Sequence, residues 1–142
     1  RCGPKISSMR LVVLAVAVLA LASSAAAATP VRATMVTSSA APVVDQPWRW
    51  TVTVRSRAGK PLPAKMRLQI LFGSLVVGCW KGTAIAQCSG ANAGTWIVFK
   101  GKRTGVITWP AQSLGIKLTF QAVVVAETKT LKLRAPVTVQ SA

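Results

Sequence analysis

The sequence contains no histidine and no tyrosine, and only two acidic residues, Asp45 and Glu127. Without histidine the chain lacks the usual general base of hydrolytic triads and the commonest nitrogen ligand for zinc. Asp45 falls in a Pro-flanked turn and Glu127 at the end of a strand, so nothing in the sequence pairs them as an acid/base couple. A serine–lysine dyad survives the lack of histidine. However, Ser-x-x-Lys does not occur; the nearest spacings, Ser56 to Lys60 and Ser113 to Lys117, are one residue too long. "GKRTG" (Gly101–Gly105) lacks the first glycine and the spacing of a phosphate-binding loop, and no helix follows it, so it reads as a basic turn. The chain is expected to be non-catalytic, with no metal and no cofactor.

Cysteine is scarce too. Cys2 lies in the N-terminal segment, which leaves Cys79 and Cys88. A zinc site needs three or four ligands at tight spacing, and this pair has no further partner. In an exported chain the two read as a disulfide, with free thiols as the alternative. Closing so short a loop is worth about 2.5–3 kcal/mol by loop-closure entropy.

The export reading rests on the N-terminus. Arg1, Lys5 and Arg10 form a positive region, "LVVLAVAVLALA" (Leu11–Ala22) is a twelve-residue apolar run, and "SSAAAATP" supplies small residues. This is the layout of a secretory signal helix over 1–28, cleaved after Ala28, with Met9 as the natural start. An uncleaved N-terminal anchor is the alternative. The run is short of the roughly 20 apolar residues a membrane span needs, unless the following alanines are counted. No membrane span is expected in the mature chain. Residues 29–142 have the length of one domain with its own core.

Period-2 alternation dominates that domain. "WRWTVTVR" puts Trp48, Trp50, Val52 and Val54 on one face and Arg49, Thr51, Thr53 and Arg55 on the other. "KMRLQILF" sets Met66, Leu68, Ile70 and Phe72 against Lys65, Arg67 and Gln69, and "KLTFQAVVVA" and "TKTLKLRA" continue the pattern. Such runs, rich in β-branched and aromatic residues, predict half-buried strands. Strands are expected near 31–37, 48–56, 64–72, 75–80, 84–88, 95–100, 104–109, 116–126 and 129–139. Gly, Pro and Asn clusters punctuate them. Seven to nine short strands in a domain of this size predict an all-β, antiparallel β-sandwich; a small closed barrel is the runner-up.

"WTVTVRSRAGKPLPAKMRLQILF" resembles the segment of bacterial immunoglobulin-like domains in which a strand ends in a Gly-Lys-Pro turn and an apolar strand follows. "ITWPAQSLGIKLTFQAVVV" is similar to the later part of such domains. The likeness covers most of Val31–Val139 and implies an immunoglobulin-like β-sandwich in a secreted or cell-surface protein, a spacer or adhesive module with no activity. Two departures stand out. Cys79 and Cys88 are too close to be the inter-sheet bridge of antibody domains, and without tyrosine the tyrosine corner is missing.

Charge is the other strong signal. Residues 29–142 carry fifteen lysines and arginines against the two acids, a net +13. Such a surplus attracts polyanions. Alternation places Arg49 and Arg55 outside one sheet and Arg67, Lys117, Lys132 and Arg134 outside the other, with Lys100, Lys102 and Arg103 at a turn. The charge is thus expected to be spread, which favours diffuse adhesion over a specific nucleic-acid site. Trp48 and Trp50 are expected in the core and Trp109 plugging one end. Trp80, in the least regular region, is expected to be the most exposed tryptophan. The contact surface is therefore placed on the loops around Trp80–Lys81 and around Lys100, Lys102 and Arg103. Two functions compete. One is an exported binding or structural module with affinity for anionic envelope polymers or another surface protein. The other is a secreted inhibitor or effector docking a single protein through those loops.

Overall fold

The computed structural model describes Gly3, residues 30–82 and residues 84–142. The expected signal segment and its Met9 start lie outside the described residues. Nine strands follow one another: β1 (Val31–Thr37), β2 (Pro47–Ser56), β3 (Pro63–Phe72), β4 (Leu75–Lys81), β5 (Ala84–Gln87), β6 (Ile97–Lys100), β7 (Lys102–Thr108), β8 (Lys117–Ala126) and β9 (Lys129–Thr138). All strand pairs are antiparallel, and they form two sheets. The smaller runs β1-β2-β7; the larger runs β5-β4-β3-β8-β9, with β6 also on β3. Among the described residues no helix is long and apolar enough to cross a membrane.

The two sheets share a core. Trp48, Trp50, Val52 and Val54 of β2 face Met66, Leu68 and Ile70 of β3 and Phe120, Ala122 and Val124 of β8, all buried. Alternation dictates this, because period 2 sends each second residue to the same side of a pleated strand. Aromatic rings fill the centre edge to face: Trp48 lies 5.4 Å from Trp109 and 5.1 Å from Phe120, centroid to centroid. The Trp48 Nε1–H donates to the Ser39 carbonyl at 2.8 Å, so its one polar atom is satisfied as it enters the core.

The "GKRTG" segment is not the turn its composition suggests. Only Gly101 bends the chain, and Lys102–Gly105 belong to β7. β6 and β7 form one extended run that leaves the larger sheet at Lys100 and enters the smaller one at Lys102. Gly101, at φ +75°, is held by its N–H on the Leu62 carbonyl (2.9 Å) and its carbonyl on the Val54 N–H (2.7 Å). A Cβ there would sit 2.6 Å from the Cβ of Pro61, so both the conformation and the space call for glycine.

Topology separates the two acids. Asp45 precedes β2, whereas Glu127 follows β8, whose last residue, Ala126, pairs with Ala64 at the start of β3. Strands of ten residues span about 30 Å, so the two acids lie at opposite ends of the domain. Both residues have positive φ, 59° and 54°, and serve as turn residues.

Candidate functional site

A disulfide joins Cys79 to Cys88, with 5.9 Å between their Cα atoms, as the cysteine pair led one to expect. Cys79 pairs with Gln69 across β4 and β3, so both side chains lie on the outer face of the larger sheet. They are nonetheless buried, because the segment after Cys88 folds back over this face. Gln69 donates through Nε2 to the carbonyls of Ala91 (3.0 Å) and Ala93 (2.8 Å). Arg67 donates to the backbone carbonyl and side-chain oxygen of Asn92. The loop closes over Arg67 with Trp96, whose ring centre lies 4.1 Å from the Arg67 guanidinium carbon and 4.5 Å from the Lys65 Nζ. Cation–π stacking of this kind is worth about 0.5–2 kcal/mol, depending on desolvation. Among the described residues the aromatic that meets cations is therefore Trp96, which falls just before β6 although a strand was expected from residue 95.

Trp80 is half-buried, more exposed than Trp48, Trp50 and Trp109, and it packs on the core, with its ring centre 6.1 Å from that of Trp50 at an interplanar angle of 84°. The reason is local: β4 pairs with β3 through Gly78 and Cys79, and alternation turns Trp80 inward beside Gly78. Lys81 is exposed at the end of β4, in the hairpin to β5. Lys100, Lys102 and Arg103 are also exposed around the β6–β7 bend, though they point in different directions. Lys100 belongs to the larger sheet opposite Pro63, Lys102 lies beside Thr53 on the smaller sheet, and Arg103 beside Val52 points to the other side of that sheet.

The topology does assemble a different cluster. The β2–β3 turn, the β6–β7 bend, the β8–β9 turn and the start of β1 all lie at one end of the domain, since Val31 pairs with Ser56, Pro63 with Lys100 and Ala64 with Ala126. That end carries Arg32, Arg55, Arg57, Lys60, Lys65, Lys100, Lys102 and Lys129, all exposed, against one acid, Glu127. Arg32 and Arg55 are direct cross-strand partners, and the Arg57 N–H reaches the Pro30 carbonyl at 3.1 Å. The opposite end has Arg49 and Lys117 together with Asp45. Antiparallel pairing thus brings cations of four separate segments to one end, while the other seven cations of residues 29–142 lie elsewhere on both sheets. Like charges this close repel one another, and the arrangement favours a polyanionic counter-surface.

No family model and no curated protein matches the chain. Among solved structures it is similar to the crystal structure of a DUF4466 family protein from Parabacteroides merdae, at 11% identity and a TM-score of 0.43. The match covers 76% of this chain and 44% of that one, so the chain spans less than half the length of that protein.

Two cavities open on the surface of the described residues. A cleft of about 470 Å³ opens between the β4–β5 hairpin and the segment after β7, lined by Ile70, Ile85, Ile116 and Leu118, with Trp109 at its wall. A groove of about 350 Å³ lies on the outer face of the larger sheet, between the disulfide-tied loop and β9, and is lined by Ser74, Ser89, Gln121, Lys132 and Arg134 among others.

Proposed function

We propose that this chain is a non-catalytic binding module of the extracytoplasmic space, an immunoglobulin-like β-sandwich whose basic pole engages anionic polymers of the cell envelope. The strand orders β1-β2-β7 and β9-β8-β3-β4-β5 support the architecture. They correspond to the A-B-E and G-F-C-C′-C″ orders of immunoglobulin sheets. The disulfide supports an oxidising compartment. The observation that carries the functional reading is the gathering of eight cations from four chain segments at one end of the domain. A pole of this kind recognises charge density and not a base sequence, and it acts by releasing the counterions of its ligand. The rival reading, an inhibitor or effector docking one protein through its loops, would have to use a Trp80 ring that packs partly against Trp50.

The test is binding of a polyanion (duplex DNA, polyphosphate or isolated envelope polymer) at low and at physiological salt. Affinity should fall steeply, with a logarithmic slope of about −0.9 per phosphate neutralised on DNA. Changing Arg57, Lys60 and Lys100 together to glutamine should flatten that slope, and changing Arg49 and Lys117 should leave it in place. No binding at low salt, or equal effects of both sets, would remove the basis of the reading.

A further inference from the structure

The buried glutamines of the larger sheet lead outward to an arginine. Gln69 and Gln121, directly opposite on β3 and β8, are only 1% and 3% exposed. Both amide hydrogens of Gln69 go to the Ala91 and Ala93 carbonyls, so its Oε1 faces Gln121 and accepts from the Gln121 Nε2 at 3.0 Å. The Oε1 of Gln121 in turn accepts from the Arg134 Nε at 2.8 Å. Each bond sets the direction of the next, from the loop out to the guanidinium. Among the described residues, the Arg134 side chain donates through Nε alone, and its two terminal NH₂ groups keep their donors.

We propose that Arg134, aligned by the Gln69–Gln121 ladder beside Lys132, is a binding site for a phosphate group, and that the Cys79–Cys88 disulfide maintains it. Lys132 and Arg134 are two residues apart on β9, hence on the same face and about 7 Å apart, and both line the 350 Å³ groove. A guanidinium fixed at Nε offers its remaining donors as a planar fork that fits an oxyanion bidentately. The second cation favours a dianionic phosphate over a singly charged carboxylate, and the Ser74 and Ser89 hydroxyls on the facing wall add neutral donors. The disulfide enters because Cys88 begins the loop whose carbonyls orient Gln69. This site is independent of the basic pole, since it lies mid-strand on the outer face of the larger sheet.

The test is a titration of the isotope-labelled protein with inorganic phosphate, following the Arg134 Nε–H and Gln121 side-chain amide signals, with acetate and chloride at matched ionic strength. Saturable shifts are expected with phosphate, at least about tenfold tighter than with acetate, since a point-charge lysine cannot replace the fork and a monoanion gains less from two cations. Arg134→Lys and Gln121→Leu should each weaken phosphate by a similar factor, as should reduction of the disulfide. Lys60→Gln at the basic pole should change nothing. Glycerol phosphate and vesicles containing phosphatidic acid, added in parallel, separate a soluble phosphate ester from a lipid headgroup as the source. Unsaturable shifts, equal response to acetate or an unaltered Arg134→Lys variant would overturn the site. Should Gln121→Leu fail to fold, Arg134→Lys still decides the matter, because Arg134 is exposed. Undiminished binding by the reduced protein would overturn the part assigned to the disulfide.

Discussion

The indole of Trp50 lies directly against the backbone of Gly105, its cross-strand partner on β7. A Cβ at Gly105 would come within 2.6 Å of the Trp50 Cε2. Trp50 is fully buried, with Phe120 and Trp80 around it, so the ring has no free space to move into. Gly105→Ala should therefore destabilise the domain by about 1–3 kcal/mol, the usual cost of overpacking. Urea denaturation followed by tryptophan fluorescence measures this, and Trp50→Leu in the same background should recover part of the loss. Additive losses in the double variant would show that the two residues do not compete for one space.

The disulfide holds a loop onto a sheet face. Replacing both Cys79 and Cys88 with alanine should cost about 2.5 kcal/mol through loop-closure entropy. It should also expose the backbone around Ala91–Ala93 and with it Gln69, which hydrogen exchange would detect as faster exchange in the loop. Thiol titration of the unfolded, unreduced protein should find neither cysteine of this pair free.

Trp80→Ala tests where that ring resides. A half-buried indole against Trp50 makes the expected loss of stability about 2 kcal/mol. Polyanion binding by the folded variant should match that of the wild type. A variant of wild-type stability with impaired binding would return Trp80 to the contact surface.

The crowded pole predicts an unusual salt response. With eight cations and one acid at one end, added salt screens repulsion within the folded domain. The urea midpoint should rise between about 10 and 150 mM sodium chloride, where the screening length falls from about 30 to 8 Å. Replacing Arg55 with threonine removes one half of the Arg32–Arg55 cross-strand pair and should reduce this dependence.

The strands were legible because half-buried antiparallel strands must alternate. Trp48, Trp50, Val52 and Val54 announced the core face of β2, and the nine observed strands begin and end within about two residues of the expected positions. Two features escaped the sequence for different reasons. Gln69 and Gln121 sit on the polar side of their strands, yet they are buried because the loop after Cys88 crosses that face. The inward turn of Trp80 was hidden because the short apolar run "LVVGCW" does not distinguish the faces of β4. The glycines of "GKRTG" looked like turn residues. One of them, Gly105, also fell within the strand expected near 104–109, and it is a β7 residue whose missing side chain leaves room for an indole more than fifty positions away.

The sequence by itself determined the local terms: alternation, the positions of turns, the cysteine pair, and a surplus of thirteen positive charges over residues 29–142. These depend on neighbours along the chain and on composition, and pairing does not alter them. Only the tertiary structure decided which faces stay wet, which aromatic meets a cation, and where the charge collects. Antiparallel pairing brings distant turns to a common end, and a single cross-link folds a loop over an otherwise exposed sheet. Neither relation has a period or a spacing in the sequence, because both arise from contacts between segments far apart along it.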